Sequence, residues 1–126
     1  MEAKKRINVL LVDDEDDVLN TLGNMIEQSG WKCFKAATGE LGLEIFKINK
    51  VDVVILDIRL PRMDGFDVLK QMKQLKPAVP VVMLTALGYE KEAVEKALKL
   101  GASGYVGKVM PVKDVISKIK AVLGQR

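Results

Sequence analysis

The chain contains no histidine, and this absence excludes several kinds of catalytic and metal site. Ser-His-Asp hydrolysis, histidine-ligated zinc or haem, and a histidine phosphoacceptor within this chain all need an imidazole. Cysteine is nearly absent too: Cys33 is the only one, so an intrachain disulfide is excluded. Its apolar neighbours predict a small buried hydrophobic side chain, which is compatible with a reducing compartment.

Long hydrophobic runs and a strong excess of one charge are also missing. No stretch approaches the roughly 20 apolar residues of a membrane span, and the polar opening segment is not followed by a signal-like run. We therefore predict a soluble, cytoplasmic protein with no membrane partner. Twenty Lys and Arg against 17 Asp and Glu give a net charge of +3, and we predict no direct nucleic-acid binding by this domain.

What the chain does contain suits one globular domain, predicted over residues 1–126 with no linker or internal repeat. Short apolar runs alternate with amphipathic stretches along its length. The runs are Ile7 to Val12, Trp31 to Ala36, Val53 to Leu56, Val79 to Leu84 and Gly104 to Gly107. Most are rich in β-branched residues and Leu, which is typical of strands buried on both faces.

Residues at helical spacing fill the intervals between these runs. The predicted apolar stripes are Val18, Leu19, Leu22, Met25 and Ile26; Leu41, Ile45 and Ile48; Phe66, Leu69, Met72 and Leu75; Ala93, Val94, Ala97 and Leu98; and Val112, Val115, Ile116, Ile119, Val122 and Leu123. Gly30, Gly101 and Gly124 follow three of them, where a left-handed cap is expected. The alternation predicts an α/β fold: a doubly wound, flavodoxin-like (βα)5 sandwich of three layers, with a parallel five-stranded sheet in the order 2-1-3-4-5.

Polar residues fall where the predicted strands end. Asp13 and Asp14 follow the first run, Asp57 the third, Thr85 the fourth and Lys108 the fifth. Because ligands bind at the carboxyl edge of an open parallel sheet, we expect these side chains to converge. Taken singly, each has an ordinary structural interpretation, such as a helix N-cap for the first aspartates or a loop position for the third.

Three close aspartates repel one another and favour a bound cation. Oxygen ligands without His or Cys point to Mg²⁺, or Mn²⁺, rather than zinc, with a position left for a phosphate oxygen. Lys108 offers a point charge and Thr85 a hydrogen bond to further phosphate oxygens. The set therefore indicates phosphoryl chemistry.

Four separated segments resemble the receiver domain of bacterial two-component response regulators. They are Val9 to Glu15, Asp57 to Gly65, Leu84 to Ala86 and Gly101 to Lys108. The resemblance implies that Asp57 is the phosphoacceptor, taking a phosphoryl group from a histidine kinase. It implies Mg²⁺ ligation by Asp14, Asp57 and the backbone carbonyl of Arg59, with Asp13 acting through bound water.

The resemblance also assigns the phosphate-binding groups and the switch. Thr85, the backbone amide of Ala86 and Lys108 would hold the phosphoryl oxygens, and a movement of Thr85 would let Tyr105 turn inward. The domain would catalyse transfer to its own Asp57 and the later hydrolysis, without being a dedicated enzyme. Its expected partners are a sensor histidine kinase and a downstream protein or fused output domain, with a phosphorylation-linked homodimer through the fourth and fifth helices.

Some features stay open at this point. Many receivers have Pro directly after the lysine, whereas Val109 and Met110 intervene before Pro111 here, so the shape of this loop is not fixed, and Pro111 is expected to help start the last helix. Arg59 and Leu87 lie where the family tunes dephosphorylation, and no rate can be read from them. Whether the domain stands alone or belongs to a longer protein also stays open.

Other classes fit the residues less well. A haloacid dehalogenase-type enzyme needs an acid two residues after its nucleophile, where this chain has Arg59, which cannot release a proton. A flavodoxin-like carrier is disfavoured by the acidic run after the first strand, and nucleotide-binding glycine motifs are missing. The alternative that remains is a receiver-like interaction module that binds without being phosphorylated.

Overall fold

The computed structural model of the protein describes residues 6–86 and 91–124. Strands and helices alternate through the described part. The strands are β1 (Asn8–Val12), β2 (Lys32–Ala36), β3 (Val53–Asp57), β4 (Val81–Thr85) and β5 (Gly104–Gly107), and the helices are α1 (Asp16–Gln28), α2 (Gly39–Ile48), α3 (Gly65–Leu75), α4 (Lys91–Lys99) and α5 (Val112–Val122). Every predicted element is present, with ends that shift by one or two residues. Strand β4, for example, begins after Pro80, whose ring leaves no N–H for a ladder hydrogen bond.

The sheet is parallel and has the order β2-β1-β3-β4-β5, which confirms the predicted topology. Strands β3 and β4 are buried along their whole length because helices cover both faces of the sheet. On one face, buried residues of α1 and α5 pack against alternate strand residues such as Val9 and Leu11. On the other face, α2, α3 and α4 pack against Leu10 and Val12.

The predicted apolar stripe of α2 is wrong. Leu41 and Ile48 are exposed, and the buried face is formed by Gly39, Gly42, Leu43 and Phe46. The reason is close packing at the glycines: a Cβ added at Gly42 would lie 2.9 Å from Cγ2 of Val12. Periodicity counts only large apolar residues and therefore missed a face that two glycines open to the sheet and to α3.

Smaller predictions agree with the structure. Gly30, Gly101 and Gly124 have φ values of 91°, 107° and 62°, the left-handed conformation expected of helix-ending glycines. Cys33 is buried. Among the described helices, none has the length and apolar character needed to cross a bilayer.

Candidate functional site

The carboxyl edge of the sheet brings three aspartates together. Asp13 follows β1 and is fully buried, Asp57 is the last residue of β3 and is 3% exposed, and Asp14 is exposed. Each offers a carboxylate oxygen, and these oxygens all lie within 4.8 Å of one another. They meet because β1 and β3 are neighbours in register, so Asp13, directly after β1, lies beside Asp57 at the end of β3.

Lys108 reaches this cluster from the other side of β4. Its Nζ atom lies 3.1 Å from Oδ2 of Asp57 and 3.0 Å from Oδ2 of Asp13, and it also donates a hydrogen bond to Glu15. The backbone of Lys108 is held by its N–H, which donates to the carbonyl of Thr85 at 2.7 Å. A long aliphatic stem carries the ammonium across one strand.

Glu15 is the member of this cluster that sequence reasoning missed. Its carboxylate is 57% exposed and pairs with Lys108. Glu15 directly follows the two aspartates at the end of β1, and this position was the one sequence feature that could have indicated its membership of the cluster. Its role as a neighbour of the ammonium depends on the direction in which Lys108 extends, which spacing alone does not give.

The two buried aspartates are oriented by their own loops. Oδ1 of Asp57 accepts a hydrogen bond from the backbone N–H of Arg59 at 3.1 Å, and Oδ1 of Asp13 accepts one from that of Glu15 at 2.8 Å. The ordinary interpretation of the first aspartates as helix caps is therefore wrong: α1 begins at Asp16, with Glu15 as its N-cap and no side-chain capping bond. The second oxygen of each buried aspartate is left facing the ammonium.

Burial and mutual repulsion shape the protonation of the cluster. Burial, together with the charge of Asp13, raises the pKa of Asp57 to about 6, although the Arg59 N–H and Lys108 oppose the shift. Burial likewise raises the pKa of Asp13, against the lowering effects of the Glu15 N–H and of the Lys108 charge. For Lys108, burial alone would lower the pKa, but its contacts with the carboxylates of Glu15, Asp13 and Asp57 outweigh this effect and raise the pKa. The cluster thus holds more negative charge than one ammonium balances.

The donor atoms fit a hard divalent cation. Oδ2 of Asp13 is buried and accepts no hydrogen bond in the described part of the chain, since its contact with Lys108 is an ion pair without hydrogen-bond geometry. An all-oxygen set of Asp13, Asp14 and Asp57 suits Mg²⁺ or Mn²⁺, which retain several waters. Of the predicted site residues, the structure brings Asp13, Asp14, Asp57 and Lys108 together here.

A family model for the response regulator receiver domain matches residues 9–120. The chain is a response regulator receiver domain. Receiver domains of this family act in two-component phosphorelay signalling, between histidine kinases and output domains.

Two curated relatives are each more than a third identical to this chain. It is 37% identical over 115 residues to the alkaline phosphatase synthesis transcriptional regulatory protein PhoP of Bacillus subtilis (strain 168), covering 91% of this chain and 48% of that protein. It is 36% identical over 116 residues to the sensory transduction protein RegX3 of Mycolicibacterium smegmatis, covering 92% and 50%. The chain therefore spans about half the length of these curated relatives.

Solved structures agree with the fold. The CheY-like receiver domain protein of Methanospirillum hungatei JF-1 has a TM-score of 0.90 at 30% identity, with 96% of each chain covered. A response regulator of Chloroflexus aurantiacus J-10-fl has a TM-score of 0.89 at 31% identity, covering 95% of this chain and 99% of that one.

The remaining predicted residues of the receiver domain lie on β4, on β5 and just after them. Thr85 ends β4, is 3% exposed and donates from Oγ1 to the carbonyl of Val106 at 3.4 Å. Ala86 follows it and is exposed, whereas Leu87 lies outside the described residues. Tyr105 is 38% exposed on β5, the next strand, so its ring is only partly covered.

The β3–α3 loop is tightly built beside Asp57. The N–H of Met63 donates to the carbonyl of Pro61 at 2.7 Å across Arg62, whose φ is 68°. Asp64 caps α3 by accepting from the N–H of Phe66 at 2.8 Å. Such local bonds hold the segment that follows the nucleophile candidate in one shape.

The segment after Lys108 has its own stabilising contacts. The N–H of Gly107 donates to Sδ of Met110 at 3.0 Å, and Val109 between them is 65% exposed. Pro111 is the N-cap residue of α5, in agreement with its expected place at the start of that helix. The loop therefore turns outward at Val109 and returns to the domain at Met110.

Proposed function

We propose that this receiver domain accepts a phosphoryl group on Asp57 and carries it as an aspartyl phosphate. A carboxylate oxygen of Asp57 forms the new bond to phosphorus while the bond from phosphorus to the donor's imidazole nitrogen breaks. The electron pair of that broken bond returns to the nitrogen, and the histidine leaves as a neutral imidazole once it is protonated. Later attack of water on phosphorus releases inorganic phosphate and restores the carboxylate.

The observation that carries the proposal is the setting of Asp57 in the cluster. Residue 57 is 3% exposed, yet Oδ2 of its side chain lies 3.1 Å from the Lys108 ammonium. A transition state for phosphoryl transfer gathers negative charge, and an ammonium fixed at this distance is placed to stabilise it. The N–H of Arg59, bonded to Oδ1, holds the carboxylate plane in place.

A divalent cation fits the same cluster. Asp13, Asp14 and Asp57 are the residues that would hold Mg²⁺ or Mn²⁺, and the backbone carbonyl of Arg59 would complete the protein ligands. When bound, the ion supplies charge neutralisation between the carboxylates and the incoming phosphoryl oxygens. The buried Oδ2 of Asp13, which accepts no hydrogen bond among the described residues, supports this assignment.

We further propose that Thr85, the amide of Ala86 and Lys108 hold the phosphoryl oxygens, and that Thr85 and Tyr105 form the switch. The Thr85 hydroxyl makes only a long bond, 3.4 Å, to Val106, so a phosphoryl oxygen near residue 57 is a competitive acceptor. Its movement would change the packing beside Tyr105. A surface hollow between α4 and β5 is lined by Val94, Leu98 and Tyr105, and repacking there would alter the α4–β5–α5 surface.

The partners belong to the same proposal. A sensor histidine kinase supplies the phosphoryl group, and a downstream protein or fused output domain binds the α4–β5–α5 surface. The phosphorylated domain forms a homodimer through the same surface. A cytoplasmic location is proposed from the family. No direct nucleic-acid contact is proposed for this domain, although PhoP of Bacillus subtilis is named as a transcriptional regulatory protein.

Intact-mass measurement after incubation with Mg²⁺ and a small phosphodonor tests the proposal. We expect a phosphate-sized mass gain in the native protein, none in Asp57→Asn and an unchanged gain in Asp67→Asn, which removes the same charge from an exposed position on α3. Omission of Mg²⁺ or addition of a chelator should suppress the gain. An unlabelled native protein, beside a control receiver that is labelled, would favour the alternative function, binding without phosphorylation.

A further inference from the structure

Helix α2 carries an apolar stripe that the described part of the chain leaves partly exposed. Leu41 and Ile48 are seven residues apart, two helical turns, and are 44% and 75% exposed. Ile48 has the largest exposed fraction of the large hydrophobic side chains in the described segments. Ile45 lies between them and is partly covered by the core. Solvent exposure of aliphatic side chains in a row is unfavourable, so the stripe needs an explanation.

A line of charges runs beside this stripe on one flank of α2. Glu40, Glu44 and Lys47 follow one another at spacings of four and three residues, which places them on the same flank. All are exposed, and none forms an ion pair with another side chain of the described residues. The first two turns of the helix thus present negative charge beside the stripe and the last turn positive charge.

We propose that the α2 face is an interface between two copies of this chain, packed antiparallel about a two-fold axis. With Leu41 opposite Ile48 of the second copy, the axis passes between positions 44 and 45. At a rise of about 1.5 Å per residue, Lys47 then falls midway between Glu40 and Glu44 of the second copy, about 3 Å along the helix from each. A two-fold axis keeps the charged flanks of both helices on the same side of the interface.

The order of charges along the flank of α2 favours a second, antiparallel copy of this chain as the partner of the α2 face. A parallel pair of α2 helices about a two-fold axis would place the charged flanks of the two helices on opposite sides of the contact, where Lys47 of one copy cannot pair with Glu40 or Glu44 of the other. The antiparallel pair instead matches opposite charges twice, once on each half of the interface. An arrangement that complements itself under a two-fold rotation is what a homodimer contact requires.

This contact is separate from the surface assigned to signalling. Helix α2 packs against β1, β2 and α3, whereas α4 and β5 lie at the other edge of the sheet. The contact therefore needs no phosphorylation. A helix of 10 residues is about 15 Å long, so the area that the contact can bury falls short of the roughly 1,200 Å² of stable complexes, and a dissociation constant on the order of 0.1 mM is expected.

Sedimentation equilibrium of the whole chain, without phosphodonor, tests the contact. The average mass of the native protein should rise from monomer towards dimer as concentration approaches about 1 mM. Ile48→Glu should weaken association at least tenfold. Val109→Glu, at another exposed apolar position, is the matched control and should leave association unchanged. Thermal melting checks that both variants are folded.

Charge reversal tests the register. Lys47→Glu alone and the double variant Glu40→Lys/Glu44→Lys should each lose self-association, because each carries charges of one sign on the flank. Mixed together, these two variants should associate with each other. Three results would overturn the proposal: a native protein that stays monomeric at about 1 mM, a dimer insensitive to Ile48→Glu, or charge variants that self-associate as the native chain does.

Discussion

Removing the charge of Asp57 should stabilise the protein when no divalent cation is present. Burial and the charge of Asp13 raise the pKa of Asp57 from 3.8 to about 6 in the folded state. At about 1.4 kcal/mol for each pKa unit, the ionised carboxylate costs the folded state up to about 3 kcal/mol at neutral pH. In Asp57→Asn the amide oxygen still accepts the Arg59 N–H, while Lys108 keeps Glu15 and Asp13 as partners. We therefore expect a gain of about 1–3 kcal/mol.

The sign of the pH dependence follows from the direction of the shift. A carboxyl group with a raised folded-state pKa contributes stability that is fully present below its unfolded pKa, about 4, and is lost as the pH rises through about 6. The difference in unfolding free energy between Asp57→Asn and the native protein should accordingly be largest at pH 7–8 and shrink towards zero near pH 4. Urea denaturation in the presence of a chelator, at a series of pH values, measures it.

The matched control is Asp67→Asn, which changes the net charge equally at an exposed position and should show no comparable gain. Addition of Mg²⁺ should stabilise the native protein more than Asp57→Asn, because the variant lacks one ligand. An equal stability difference at pH 5 and pH 8, or no difference at pH 8, would refute the electrostatic account of the cluster.

Three further changes have definite expected outcomes. In Gly65→Ala the new Cβ would lie 2.4 Å from the carbonyl oxygen of Ile58, so urea denaturation should show a loss of about 1–3 kcal/mol, and an unchanged midpoint would contradict this packing. Arg62→Gly should gain up to about 1 kcal/mol in the same assay, since Arg62 has a φ of 68°, and a loss would show that its side chain stabilises the loop. Burial raises the pKa of Cys33 to about 12, so roughly one thiol in 10,000 is ionised at pH 8, and a thiol-reactive dye should label the folded protein far more slowly than the urea-unfolded protein.

The sheet could be predicted from the sequence because its strands are continuous apolar runs bounded by polar residues. Strand order followed from the strict alternation of strands and helices, which leaves few arrangements open. The face of α2 was not predicted, because two of its four buried positions, Gly39 and Gly42, pack through close approach and only the other two carry large apolar side chains. A hydrophobic pattern detects side chains with a large apolar area, and glycine has no side chain to add to it.

The members of the site could be predicted because parallel strands end at one edge, whichever way their side chains point. Asp13, Asp14, Asp57 and Lys108 were found by position alone. Their charge balance could not be predicted in the same way. It depends on which oxygens the loop N–H groups occupy and on how far the lysine extends, and both are properties of the folded loops.

The balance of partners around Lys108 bears on how the site would accept a phosphoryl group. Its contact with Glu15 lies at an exposed carboxylate, where an ion pair contributes roughly 0–1 kcal/mol. Its contacts with Asp13 and Asp57 lie at buried carboxylates, where an unpaired charge is far more costly. An aspartyl phosphate at residue 57 would add negative charge, so the ammonium would give up Glu15 first and stay with the buried groups. Lys108 can therefore follow the added charge at little cost in stability, which makes the cluster suited to alternate between a free carboxylate and its phosphorylated form.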